Sequence, residues 1–228
     1  MRGIIMKVAG VLATSALVAG AAEAQTCLGR PFFSTGPVQV GAGADMSSGT
    51  RAIGADVTVG QDKSIFGRMG IAHASQDRDG VGPNRAGTEM NATVGYQKNM
   101  TGPAHAQVCP YVSYDQRGLD ADGLTPTRTY SQSEMNVGAS VGWILPHKGT
   151  VHVVPFAGLA YAHTGGTVAQ AGTTQLRLAH DEYLPGTFGA GIHVADRWMV
   201  TGQATVPFYS NRDPVFRASV ILPTGRNR

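Results

Sequence analysis

The chain has 228 residues, a formal charge of +3, 14% charged residues, 31 glycines and two cysteines. The positive excess is small and scattered, with no basic stripe and no aromatic platform alternating with Lys and Arg, which excludes a nucleic-acid surface. Charged residues fall well below the usual quarter, glycine is roughly twice its usual share, and beyond the N-terminus no run of 18 apolar residues occurs, which excludes a transmembrane helix.

Arg2 and Lys7 precede an apolar run from about Val8 to Ala22, and Ala22 and Ala24 form an Ala-x-Ala site before Gln25. This is the pattern of a cleaved secretory signal peptide over residues 1–24. About 204 residues then remain, enough for one barrel or sandwich domain. Residues 25–35, with Cys27, Pro31, Phe32 and Phe33, read as a short leader or plug.

The first predicted strand, from Pro37, places Val38, Val40, Ala42, Ala44 and Met46 on one face and Gln39, Gly41, Gly43 and Asp45 on the other. The second alternates Ile53, Ala55, Val57 and Val59 with Gly54, Asp56 and Thr58. The third sets Ile65, Met69 and Ile71 against Arg68 and Gly70, and the fourth sets Met90, Ala92, Val94 and Tyr96 against Glu89, Asn91, Thr93 and Gly95. The fifth opposes Val108, Pro110, Val112 and Tyr114 to Gln107, Cys109, Tyr111 and Ser113; its proline removes a ladder donor and weakens the pattern.

The sixth, Glu134 to Leu145, is the strongest signal, with Met135, Val137, Ala139, Val141, Trp143 and Leu145 on one side and polar or small residues on the other. A period of two over twelve residues is a strand with one apolar side. At roughly 3.4 Å per residue it would run about 40 Å, longer than the strands of soluble domains. The seventh sends Val151, Val153, Pro155, Ala157, Leu159 and Tyr161 outward; the eighth, Leu184, Phe188, Ala190, Ile192 and Val194; the ninth, Trp198, Val200, Ala204, Val206 and Phe208; and the tenth, Phe216, Ala218, Val220 and Leu222.

Links between strands three and four, five and six, and seven and eight are long and polar, the last spanning His163 to about Glu182; those after strands two, six and eight are short. Tyr96, Trp143 and Trp198 lie beside short turns, and Tyr114, Tyr161, Tyr183 and Phe208 lie beside the loops, as two aromatic girdles would. The expected fold is therefore all-β, an antiparallel up-and-down transmembrane β-barrel of ten strands, with eight as the competing count, over residues 36–222 and followed by a tail at 223–228.

On this pattern the mature chain resembles the small outer-membrane β-barrel proteins of Gram-negative-type bacteria, the group that includes OmpA-like, OmpW-like and opacity-type barrels. The resemblance implies outer-membrane localisation, contact with membrane lipid and lipopolysaccharide, insertion by the barrel assembly machinery, and a monomer. Members of that group usually end on an aromatic residue; here Leu222 leads into Pro-Thr-Gly-Arg-Asn-Arg, with Phe216 the nearest aromatic.

The expected inward charges are Asp45, Asp56, Arg68, Glu89, Glu134, His152, His193 and Arg217. With a three-residue turn at 61–63, Asp56 faces Arg68 directly across the ladder. Mixed charges of this kind cross-link and fill a narrow lumen, or, on a sharper reading, form a selectivity or catalytic site. His73, Ser75 and Glu89 resemble the His-x-Ser and Glu set of outer-membrane lipid A deacylases, but alternation puts His73 and Ser75 outside and Glu89 inside, which separates a nucleophile from its base. His180, Asp181 and Glu182 offer the carboxylate and imidazole of a protease-like site, although adjacent polar residues in a long loop are more commonly solvated or bound to lipopolysaccharide counter-ions.

The seven histidines lack metal-ligand spacing, and the GAGAD at 41–45 opens no helix, so no metal, cofactor or dinucleotide loop is expected. In an oxidising periplasm Cys27 and Cys109 are expected to form a disulfide tethering the leader inside the barrel. The leading functional expectation is a non-enzymatic structural or surface barrel or a narrow small-solute channel. An outer-membrane hydrolase and a soluble secreted barrel binding a small ligand are the alternatives.

Overall fold

The computed structural model describes residues 37–60, 64–77, 84–100, 106–121, 128–143, 145, 151–170, 176–194 and 198–224; the signal peptide and leader, with Cys27, and residues 225–228 lie outside the described residues. The strands are β1 (Val38–Ser47), β2 (Thr50–Gly60), β3 (Ile65–Gln76), β4 (Arg85–Tyr96), β5 (Lys98–Asn99), β6 (Ala106–Ala121), β7 (Arg128–Trp143), β8 (Val151–Gln170), β9 (Leu176–Val194), β10 (Trp198–Phe208) and β11 (Val215–Thr224). β5 is a two-residue stub on β6, at Lys98↔Val108. The other ten strands form the wall. Chain neighbours pair antiparallel, β4 pairs with β6 beyond the stub, and β1 pairs with β11 from Val38↔Thr224 to Met46↔Phe216. The sheet therefore closes into a ten-stranded barrel, which leaves the membrane-facing wall without an unpaired edge.

Val38 and Thr224 mark one end, here the base, and the β1–β2 turn marks the other, the mouth. Alternation drives the wall. On β2, Arg51, Ile53, Ala55, Val57 and Val59 are exposed, whereas Ala52, Asp56, Thr58 and Gly60 are buried. The base half of the lumen is packed with side chains: Phe66, Gln97, Gln107, Cys109, Val154, Phe156, His193, Met199 and Ile221 are all 4% exposed or less.

Two aromatic rings are fitted into this small bore by the residue opposite each. Phe66 faces Gly95 across β3–β4, and Phe156 faces Gly189 across β8–β9. Each ring reaches over its glycine, where a Cβ on Gly189 would stand 2.5 Å from the Phe156 ring and 2.4 Å from the Gly202 carbonyl oxygen. Gly189→Ala is therefore expected to cost about 1–3 kcal/mol through overpacking, read as a lower urea midpoint for unfolding from lipid vesicles.

Two sequence expectations are corrected. The polar stretches taken as long loops are largely strand: β6 and β7 each span 16 residues, β8 spans 20 and β9 spans 19. Their upper parts mix polar residues with scattered apolar ones, Leu119 buried beside Ala52 and Ala74 and Leu176 exposed, so they show no sustained alternation of hydropathy, yet they continue the ladder through His163↔Glu182 and Thr167↔Arg177 past a bulge at Thr164/Gly166. At the base, β11 continues to Thr224, into the expected tail, and the Thr224 hydroxyl donates to the Val38 carbonyl at 3.1 Å.

Candidate functional site

Above the packed base, the inward side chains become charged and the bore opens. A cavity of about 470 Å³ runs from Arg68 and Thr93 up to Ser48, Gln76 and Asp213 at the mouth. Its wall is organised by arginine–carboxylate pairs, since a lumen of low polarisability holds charge only when each is matched. Arg217 makes two hydrogen bonds to Asp45, its direct register partner on β1, each 2.5 Å. Arg117 binds Glu89, its own partner across β4–β6, with Nε at 2.8 Å.

Arg68 and Asp56 form an ion pair at 3.3 Å, but not as direct partners. The register pairs Asp56 with Gly70 and Thr58 with Arg68, two residues from the expected alignment. The contact is diagonal, which a long guanidinium stem reaches across a ladder.

Nearer the mouth, Arg212 is inserted from the segment between β10 and β11. Its guanidinium meets Glu134 at 3.2 Å, Asp181 at 3.1 Å and the Thr164 hydroxyl at 2.8 Å, and lies 4.5 Å from the centre of the Tyr183 ring. The Tyr183 hydroxyl donates to Glu134 at 2.8 Å, and the Asn136 amide donates to Glu134 at 3.1 Å and to Ser113 at 3.3 Å. Five elements are tied together here: β6, β7, β8, β9 and the β10–β11 turn.

Of the expected inward charges, Asp45, Asp56, Arg68, Glu89, Glu134 and Arg217 line this lumen, and His152 and His193 stack at its base with centroids 6.5 Å apart. Tyr183 is a correction. Expected in the mouth girdle, it turns inward and is 8% exposed, because β9 begins well before it and its parity follows Thr187 and Gly189. Asp115, Arg117 and Arg212 are not among the expected lumenal residues; Asp115 and Arg117 continue the alternation of Tyr111 and Ser113, which is the available signal.

His73 is exposed on the outer face, while Glu89 is inside and bound to Arg117, so the deacylase-like set does not converge. His180, Asp181 and Glu182 lie in β9 and separate by face: His180 stacks on His163 and Glu182 approaches the same His163 at 3.5 Å, whereas Asp181 binds Arg212. Among the described residues no group of three potential ligands is placed to hold a metal. Cys109 points inward, fully buried, and is disulfide-bonded; Cys27 lies outside the described residues.

The outer face is the reverse of a soluble protein's. Ile53 and Met69 are each 72% exposed, Ile65 65% and Val94 59%. On β7 the apolar row runs from Met135 to Leu145, whose N–H still donates to Val153 at 3.0 Å. Ten steps at roughly 3.4 Å, tilted by about 40°, give a belt about 26 Å high, against about 25 Å for the apolar band of a membrane barrel. Tyr96, Trp143 and Trp198 rim it at the base; Tyr114, Tyr161 and Phe208 rim it toward the mouth. Beyond Tyr114 and Met135 the outward residues turn polar, with Gln116, Asp120 and Thr129 exposed.

The chain is a transmembrane β-barrel of the outer-membrane type. No protein-family model and no curated protein sequence matches it. Solved structures similar to it include the translocator domain of autotransporter NalP from Neisseria meningitidis, at 12% identity and a TM-score of 0.46 over 81% of this chain and 86% of that one. The KdgM porin is similar at 9% identity and a TM-score of 0.37 over 82% and 99%. LpxR from Salmonella typhimurium is similar at 12% identity and 0.40 over 76% and 72%. In this outer-membrane-type barrel the paired lumenal charges cross-link neighbouring strands from within, while the outward belt is apolar.

Proposed function

We propose that this barrel is a non-conducting structural or surface protein of the outer membrane, with its mouth facing outward as a vestibule and its base closed. The observation that carries this is the packing of the base, where Phe66, Phe156, Val154, Met199 and Ile221 fill the bore together with Gln97, Gln107 and His193. A ten-stranded ring has little interior beyond its own side chains, and here two phenyl rings occupy much of it. Acyl chains around the belt and lipopolysaccharide at the mouth are its partners in this reading.

Planar bilayer recording of the purified, refolded protein tests it. Silence is expected at voltages where porins conduct; discrete conductance steps would replace this reading with the narrow small-solute channel.

A further inference from the structure

We propose that Glu134, Asp181, Thr164 and Tyr183 form a receptor for a guanidinium group, that Arg212 is its built-in occupant, and that the β10–β11 turn is a strap which an external guanidinium displaces. The two halves come from different elements: the receptor lies on β7, β8 and β9, and the occupant is delivered by residues 209–214. Three nitrogens of one guanidinium meet three acceptors, Nε at 3.1 Å from Asp181, Nη1 at 3.2 Å from Glu134 and Nη2 at 2.8 Å from the Thr164 hydroxyl, with the Tyr183 ring centre 4.5 Å away. A planar fork matches such a set. An ammonium, a compact point charge, does not.

The acceptors are positioned by groups other than Arg212. Glu134 accepts from the Tyr183 hydroxyl at 2.8 Å and the Asn136 amide at 3.1 Å, and the Thr164 hydroxyl donates to the Asp181 carbonyl at 3.3 Å, which leaves its lone pairs for the guanidinium. The ladder irregularity between Thr164 and Gly166 falls at the same place, and bulges re-aim side chains beside functional sites. Support of this kind keeps a receptor in shape when its occupant leaves.

The strap is held by one side chain. β10 and β11 pair no nearer the mouth than Thr205↔Val215. Among the described residues, the hydrogen bonds from residues 209–213 to other elements all run through the Arg212 guanidinium, since the bond from the Arg212 N–H to the Ser210 hydroxyl is internal. Tyr209, where the turn begins, has φ 59° and is 90% exposed. The left-handed region is unfavourable for a bulky residue, and here no packing offsets it. Asn211, Arg212 and Asp213 line the mouth of the cavity of about 470 Å³, so lifting the strap widens the vestibule. The receptor must be reachable from the mouth, but it does not depend on whether the base conducts.

Binding is measured on isotope-labelled Arg212→Ala in detergent micelles, with heat-modifiable gel mobility confirming the fold. Methylguanidinium is expected to give saturable backbone shifts at Glu134, Thr164, Asp181 and Tyr183. Methylammonium, equal in charge, should bind about ten-fold more weakly or not at all, and adding Asp181→Asn should raise the methylguanidinium midpoint about ten-fold, through the loss of one charge-assisted hydrogen bond. In the unaltered protein the same shifts should need about ten-fold more methylguanidinium, because apparent affinity falls with the fraction of open straps; residues 209–213 should shift with them. No saturable response in folded Arg212→Ala, equal response to both cations, or equal affinity with and without Arg212 overturns the proposal. If Arg212→Ala does not fold, Arg212→Lys takes its place: its single ammonium leaves the fork unmatched, and failure of methylguanidinium to displace it overturns the receptor. Conductance in the bilayer experiment would overturn the closed base and leave this result standing.

Discussion

Met69→Arg is expected to destabilise the folded protein in a bilayer by about 2–4 kcal/mol, the cost of an arginine on the lipid face near the membrane midplane. Met69 is 72% exposed and sits on β3 halfway between Ile65 at the base and His73 at the upper edge of the belt. On a water-soluble surface the same change would fall within about 0.5 kcal/mol of neutral, so the sign and size separate the two environments. The internal control is His73→Arg on the same strand and face, where the depth dependence predicts about 0–1 kcal/mol. Urea titration from lipid vesicles, followed by gel mobility, measures both. Equal costs at the two positions would contradict the belt.

Arg217→Met is expected to cost about 2 kcal/mol, because it strands Asp45 inside the lumen. Removing one member of a fully buried ion pair costs about 3–5 kcal/mol; here the side chains are 29% and 21% exposed, and solvent reduces the effect. The pair matters beyond its own energy, since it joins β1 to β11, where the barrel closes. The double variant Asp45→Asn with Arg217→Met should recover most of the loss, because no uncompensated charge remains. A double variant as unstable as the single one would mean that the arginine stem, not its charge, supports the seam.

The alternation of Met135 to Leu145, of Ile53 to Val59 and of Phe216 to Leu222 is legible because an apolar outer belt and a crowded lumen set opposite chemistry on successive residues. That contrast ends at the membrane surface. Above it apolar residues no longer keep to one face, Leu119 packing inward against Ala52 and Ala74 while Leu176 is exposed, so Gln116 to Ala121 and Leu176 to Glu182 carry no sustained alternation and read as loop, although hairpin pairing holds them in strand. Tyr183 was misplaced for the same reason: with β9 begun at residue 183, an aromatic at its edge looked like girdle. Arg212 could not be assigned inward from a turn sequence, because its place is set by Glu134, Asp181 and Thr164 on three other strands. The Asp56–Arg68 contact was anticipated, but its alignment depended on a turn whose length the residues alone did not determine.

The tall hairpin of β8 and β9 has a consequence of its own. β10 accompanies β9 only from Leu184 onward, at Leu184↔Phe208, so no described strand pairs with the outer side of Leu176–Tyr183. Closure abolishes raw margins within the lipid, and the crest restores one in water, where a stray extended segment would find backbone groups to join. Arg177, His180, Asp181 and Glu182 crowd that margin with charge of both signs, the arrangement by which exposed margins deter indiscriminate partners. The same side chains that offer no membrane contact thereby keep neighbouring molecules from zipping together.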